Sequence, residues 1–259
     1  MSEPRAKKHF GQHFLHDPYV IERILRTVNP KPGEAIIEIG PGPGALTAPL
    51  IKRVPELTVV ELDRDVIPHL REACGDAPGL NIVMADALSV DYAALVPDER
   101  PIRLVGNLPY NISTPLLFHL LGFADRVQDM HFMLQKEVVD RMCASADDDA
   151  YGRLSVALAA RAEVVHLFDV GAGAFRPPPK VESAVVRLRP RKPDFEVRDW
   201  KLFDRVVTSA FLMRRKTLTN SLRQLLSADQ MRSVGVDPQW RAERVSPAQF
   251  AALANLLTA

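Results

Sequence analysis

Residues Ile36–Thr47 read IIEIGPGPGALT. An apolar run stops at Ile39, glycines stand at Gly40, Gly42 and Gly44, and a helical pattern opens directly afterwards. Missing side chains at a strand-to-helix junction let a ligand come close to the backbone. Read as G-x-G-x-x-A, the loop has the form of a dinucleotide fingerprint, with Glu61 falling 21 residues after Gly40 at the end of the next apolar run. Two details set it apart from a pyrophosphate cradle. Pro41 and Pro43 carry no N–H where a phosphate needs donors, and Glu38 puts negative charge beside the first glycine. An acidic strand end suits a ligand with an ammonium and a sulfonium group, and S-adenosylmethionine carries both.

Working outward, short apolar runs at Ala35–Ile39, Leu57–Glu61, Asn81–Met84, Ile102–Val105 and Met130–Leu134 alternate with helical patterns, which is how a parallel α/β sheet reads. Two further β-rich runs, Glu163–Val170 and Ser183–Leu188, flank the loop GAGAFRPPPK and are expected to form an antiparallel pair at one side of the sheet. After PRKPDFE the pattern becomes helical, with Phe203, Val206, Val207, Ala210 and Phe211 on one face. Ser227 with Gln230 and Ser246 with Gln249 have capping-box spacing, and Pro247 takes a first-turn position. These signals divide the chain into an α/β domain, residues 1–192, and a small all-helical domain, residues 193–259.

At 259 residues, with 47% hydrophobic and 25% charged residues, the chain can bury a sizeable core. No apolar run approaches the ~18–20 residues of a membrane span, and MSEPRAKKHF lacks the apolar middle of a signal peptide, so a cytoplasmic location is expected. Cys74 and Cys143 suit neither a disulfide framework nor a metal site, and no metal is expected. A net charge of +1 argues against a polyanionic partner until its distribution is seen. Residues 171–259 hold 16 Lys/Arg against 8 Asp/Glu, whereas residues 1–170 hold 17 against 24. That asymmetry points to a polyanion held by the C-terminal part, a solvated helical surface being the plainer account.

Glu61, in VVELDRD, is placed to accept hydrogen bonds from ribose hydroxyls, or is simply an exposed acid at a strand end. Asp86, in VMADAL, is placed to accept from an adenine amine, and equally suits the N-cap of a helix over ALSVDYAAL. The run Val105–Ser113, VGNLPYNIS, falls at the end of the fourth strand, the sheet edge where α/β proteins bind ligands. Thr114 and Pro115 read as the N-cap and first residue of the next helix, so Asn107, Leu108, Pro109 and Tyr110 form a loop that Pro109 stiffens. A stiff turn with a buried aromatic would read the same way. Methylating an amine conjugated with a purine requires its lone pair to be freed. The Asn107 side-chain oxygen and the Leu108 carbonyl are two acceptors for its N–H groups, and Tyr110 is a stacking surface for an extruded base.

The segments GQHFLHD, EIGPGPGALT, VELDRD, ADAL, GNLPYNIST, MLQKEVVDR, FRPPPKVESAVVRL and AFLMRRKTLTNSL occur in this order, and nearly the whole chain resembles the KsgA-type rRNA adenine N6-dimethyltransferases. The resemblance implies a Rossmann-like S-adenosylmethionine-dependent methyltransferase sheet with a small helical C-terminal domain. It implies double methylation of two adjacent adenosines in the 3′-terminal hairpin loop of small-subunit rRNA, in an immature 30S particle. Carried over by position, the cofactor contacts are His13, Leu15, Gly40, Glu61, Asp86 and Asn107. His13 is a departure, since members usually have Asn there. Phe175 matches an aromatic that would sandwich the base against Tyr110, or plugs the sheet edge. Arg214, Arg215 and Lys216, which also suit a helix end, join Lys7, Lys8, Arg187, Arg189, Arg191 and Lys192 as the expected RNA footprint. The competing readings are a macrolide-resistance large-subunit rRNA dimethyltransferase, a DNA adenine methyltransferase, and a non-catalytic ribosome-assembly factor. A monomer is expected.

Overall fold

A computed structural model describes residues 6–7 and 11–258. Its strands are β1 (Phe14–Leu15), β2 (Ala35–Ile39), β3 (Leu57–Glu61), β4 (Leu80–Met84), β5 (Ile102–Asn107), β6 (Val127–Gln135), β7 (Ala162–Val170), β8 (Phe175–Arg176) and β9 (Ser183–Pro190). Its α-helices are α1 (Pro18–Val28), α2 (Thr47–Ile51), α3 (Ile67–Cys74), α4 (Ser113–Leu121), α5 (Lys136–Cys143), α6 (Arg153–Ala159), α7 (Trp200–Leu212), α8 (Leu218–Ser221), α9 (Ala228–Ser233) and α10 (Pro247–Asn255).

Seven strands form one sheet in the order β4-β3-β2-β5-β6-β9-β7, and β1 pairs antiparallel with β8 as a separate ribbon. Strands β2 to β6 are parallel and β9 runs antiparallel to β6. Every apolar run read as a strand forms one, and the two late strands are neighbours on one side of the sheet. Strand β2 is buried at all five positions, as expected where both faces of a parallel sheet are covered. Its neighbours β3 and β5 lie on opposite sides of it, so the chain order reverses there and the loops after β2 and β5 diverge. That divergence makes a crevice at the carboxyl edge.

Strands β5 and β6 are locked by a buried ion pair. Arg103, 5% exposed, grips both carboxylate oxygens of Asp129 at 2.9 Å and also donates to Glu34 and to the Val28 carbonyl, each at 2.7 Å.

The chain divides into two compact units, residues 1–139 with 165–190, and residues 140–164 with 191–259. The second therefore takes in a segment that the sequence pattern left within residues 1–192. Burial explains the difference: Tyr151, Val156 and Ala160 share one apolar cluster with Phe203, Val207 and Phe250. Arg161 grips both carboxylate oxygens of Asp204 and lies 4.2 Å from the centroid of the Trp200 ring. Both capping boxes form, at Ser227 and at Ser246, with Pro247 in the first turn of α10.

Two local expectations need correction. Helix α4 begins at Ser113 with Ile112 as N-cap, so Thr114 is not the cap. A turn that closes from the Ile112 N–H to the Pro109 carbonyl leads straight into the helix. No helix follows Asp86 either. Its Oδ1 accepts from the Leu88 N–H at 2.9 Å, closing a turn over the next residues. Among the described residues no helix is long and apolar enough to cross a membrane, and no cluster of three metal-ligating side chains is present.

Candidate active site

The loops after β2 and β5 wall one cleft, together with the ends of β3 and β4 and the segment entering β1. Of the expected cofactor contacts, His13, Leu15, Gly40, Glu61, Asp86 and Asn107 all border it. So do Leu108, Pro109 and Tyr110. The reason lies at two glycines. Gly40 has φ +67°, and a Cβ there would face the Asn107 carbonyl and Pro109, so the two loops run side by side. At Gly106 a Cβ would stand 2.4 Å from the Ile39 carbonyl oxygen, so only glycine lets β5 lie this close to β2 just before Asn107.

The glycine loop offers a phosphate little. The Gly40 N–H donates to the Val60 carbonyl at 2.9 Å, Gly42 to Glu61 Oε2 at 3.1 Å and Gly44 to the Pro41 carbonyl at 3.0 Å. Those donors are turned inward, whereas phosphate binding needs them aimed at the ligand. Among the described residues, the cleft is bordered by the acids Glu38, Glu61 and Asp86 and by no lysine or arginine. Glu61 also accepts from the Leu62 and Asp63 N–H groups through Oε1, at 2.9 and 2.8 Å. Burial raises its pKa above the usual carboxylate range, and the three backbone donors oppose the rise. It thus clasps the glycine loop to the end of β3. Glu38, 1% exposed, has an oxygen with no hydrogen-bond partner. A cationic ligand fits this lining, and S-adenosylmethionine, with its sulfonium, ammonium and ribose hydroxyls, is such a ligand.

Asn107 donates through Nδ2 to the His13 carbonyl at 2.9 Å, which fixes the amide and leaves Oδ1 as an acceptor. The Leu108 N–H is held by the Met133 carbonyl at 3.1 Å. Tyr110 is anchored twice: its hydroxyl meets Ser183 Oγ at 2.6 Å, and its carbonyl accepts from Ser113 Oγ at 3.1 Å. Burial raises the pKa of the tyrosine hydroxyl, with the Ser183 hydrogen bond opposing, so it stays neutral at physiological pH. The His13 ring stacks on the Tyr110 ring at 5.4 Å between centroids and 27° between planes, and its Nδ1 lies 2.8 Å from the Pro177 carbonyl.

Sequence reasoning missed the anchors. Ser183 sits 73 residues from Tyr110, and the His13 carbonyl 94 residues from Asn107. Neither gives a local signal. Glu38 was legible as an acid at the strand end, but only the fold reveals that one of its oxygens is buried without a hydrogen bond.

Some expected contacts are not available. Phe175 is 2% exposed, pairs with Leu15 across the β1–β8 ribbon and belongs to the apolar core, so it offers no open ring face to a base. Lys7 lies 2.6 Å from both Asp63 and Asp65, so its ammonium is paired within an acidic turn. These pairs raise the pKa of its ammonium. Lys8 lies outside the described residues. Arg187 is half-buried on β9 opposite His131, whereas Arg189, Arg191 and Lys192 are exposed. In the helical unit Arg214, Arg215 and Lys216 are exposed in the turn after α7, and Arg214 donates to the Asp149 carbonyl at 2.6 Å.

The fold and this cleft define a Rossmann-like methyltransferase. Among solved structures, a dimethyladenosine transferase from Plasmodium falciparum superposes with a TM-score of 0.77 at 22% identity, covering 93% of this chain and 96% of that one. The 23S rRNA methyltransferase ErmE gives 0.72 at 27% identity, covering 94% and 99%. The ribosomal RNA small subunit methyltransferases A of Hahella chejuensis and Pseudomonas aeruginosa are closer in sequence, at 53% and 51% identity. Each matches over 97–98% of this chain and 92–95% of its own length. Residues 4–259 match the ribosomal RNA adenine dimethylase family, and the chain belongs to it. The methyl donor of that family is S-adenosylmethionine.

Proposed function

We propose that this chain methylates the N6 amines of two adjacent adenosines in the 3′-terminal hairpin loop of small-subunit rRNA, acting as a monomer on an immature 30S particle. The observation that supports the reading is the Asn107 amide at the border of the cleft, pinned at its nitrogen to the His13 carbonyl, which leaves its oxygen as an acceptor. His13, Leu15, Gly40, Glu61 and Asp86 hold the donor, with Glu61 toward ribose hydroxyls and Asp86 toward the adenine amine. When bound, the donor supplies an electrophilic methyl group on a sulfonium. Asn107 Oδ1 and the Leu108 carbonyl accept from the two N–H groups of the target amine, which favours a pyramidal nitrogen and stabilises the positive charge that develops on it. Tyr110, immobilised by Ser183, receives the extruded base by stacking. The Asn amide does not accept a proton at neutral pH, so the product proton leaves to water.

In the helical unit Arg214, Arg215 and Lys216 contact the RNA backbone, and Arg189, Arg191 and Lys192 add phosphate contacts. Resemblance to a 23S rRNA methyltransferase makes the large subunit the competing substrate, and the identity above 50% with small-subunit enzymes favours the small one. The deciding experiment supplies labelled donor to purified unmethylated small and large subunits and analyses the nucleosides. Dimethyladenosine in the small subunit alone is expected; label in the large subunit alone, or none, removes the proposal.

A further inference from the structure

Glu38 is the one buried acid of the cleft that the steps above do not use. It stands on β2 two residues before Gly40, borders the cleft, and its Oε2 has no partner. Among the described residues, the groups facing it carry no positive charge. Thr47, on α2, is a neutral hydroxyl: it stands close enough to oppose the rise in the Glu38 pKa, but its Oγ1 makes no well-formed hydrogen bond. Glu61, on β3, is a second carboxyl that disfavours a charge on Glu38. Cys74, on α3, is a thiol whose pKa is pushed up to about 11, by burial first and then by Glu38. An ionised carboxylate in such a place has no countercharge and only the Thr47 hydroxyl to offset its burial, so the neutral acid is the stable form. Burial accordingly pushes the Glu38 carboxyl up to about 8.

We propose that Glu38 is an exchangeable countercharge: it carries a proton while the cleft is free and releases that proton to solvent when a cationic methyl donor enters. The inference rests on reading the cleft as the donor site. In the step the O–H bond of the carboxyl breaks, its electron pair stays on the carboxylate, and the proton passes to buffer. The ligand cation then provides the positive partner that the protein does not. Linkage gives the sign. Between the pKa of the bound acid and that of the free acid, and while the donor's amine stays protonated, each unit rise in pH should strengthen donor binding about tenfold.

The test is calorimetric titration of the full-length protein with S-adenosylmethionine, without RNA, in phosphate and in Tris at pH 7, and then across pH 6–9. Buffers of different ionisation enthalpy reveal protons released. About 0.9 proton per donor is expected at pH 7 from a free pKa near 8, with affinity rising about tenfold from pH 6 to 7. Glu38→Gln, of nearly the same shape and already neutral, should release none at pH 7 and show no tenfold rise in affinity between pH 6 and 7, where the donor's own amine stays largely protonated. Circular dichroism establishes that this variant is folded, and the wild-type measurement stands without it. The demethylated product keeps the ammonium but not the sulfonium. Equal release with the product supports the proposal by placing the ammonium beside Glu38, and release with the donor alone supports it by placing the sulfonium there. Binding with no buffer-dependent heat overturns the inference and leaves the donor site intact, as does undiminished release by Glu38→Gln. No binding in any buffer overturns the donor site as well.

Discussion

Replacing Asn107 by Ala separates the two halves of its side chain. The nitrogen half makes one hydrogen bond of 2.9 Å to the His13 carbonyl. Its loss costs about 1 kcal/mol, a fall in Tm of about 2–4 °C for a domain of this size. The oxygen half is left as an acceptor on a residue that borders the cleft, and in the proposed role one preorganised partner of a developing charge is worth about 10²–10³ in rate. Asn107→Ala should therefore fold, bind particles nearly as wild type, and transfer methyl at least about a hundredfold more slowly. Asn107→Asp tests the orientation. It keeps an acceptor but turns a carboxylate oxygen toward the His13 carbonyl, so stability should fall further while activity does not return. The assays are single-turnover transfer of labelled methyl to unmethylated small subunits at saturating donor, sedimentation for particle binding, and thermal unfolding. Transfer by folded Asn107→Ala within about twofold of wild type would refute the clamp, because the effect assigned to it is some fifty times larger.

Glu61→Ala removes the acceptor of three backbone N–H groups at Gly42, Leu62 and Asp63. Donor affinity measured by calorimetry should drop at least about tenfold as the glycine loop loosens, and an unchanged value would remove Glu61 from the site. Reversing Arg214, Arg215 and Lys216 to Glu should weaken particle binding and flatten the slope of log K against log salt by roughly 0.7–0.9 per lost phosphate contact; an unaltered slope would make these residues structural. Arg103→Met strands Asp129, whose side chain is 4% exposed, and should cost about 3–5 kcal/mol in denaturant unfolding. Adding Asp129→Leu should recover much of that loss, and no recovery would show that the pair is not the cause. His131, buried with no hydrogen bond at either ring nitrogen and with Asp129 3.7 Å from its Nδ1, has its pKa lowered to about 4, chiefly by burial, with Asp129 opposing. The unfolded chain takes up that proton near pH 6.5 and the folded one only near 4, so stability is complete above the unfolded value. It should fall by about 3 kcal/mol as pH drops between the two. His131→Leu should flatten this dependence, and an identical acid profile would show that another group controls it.

Much of this protein was written into local sequence. Apolar runs from Ala35 to Leu188 placed the seven sheet strands, most plainly β2, which is buried on both faces and apolar but for Glu38, and serine–glutamine spacing placed the starts of α9 and α10. The order of motifs along the chain also named the cleft, since ligands sit beyond the carboxyl ends of parallel strands wherever those strands go. What the sequence could not give are the states that burial and distant partners create. The pattern that marked Phe175 as a stacking aromatic is the same one a core residue produces, and only packing against Leu15 decides between them. Lys7 reads as a free cation until the fold brings Asp63, 56 residues away, within 2.6 Å of it. Tyr151 and Arg161 lie in the midst of α/β signals yet join the helical unit, because an apolar surface is claimed by whatever tertiary partner completes it. Charge, hydrogen bonding and solvation depend on neighbours in space. Residue spacing therefore set the path of the backbone, and the fold alone set the protonation and anchoring of the groups at its edge.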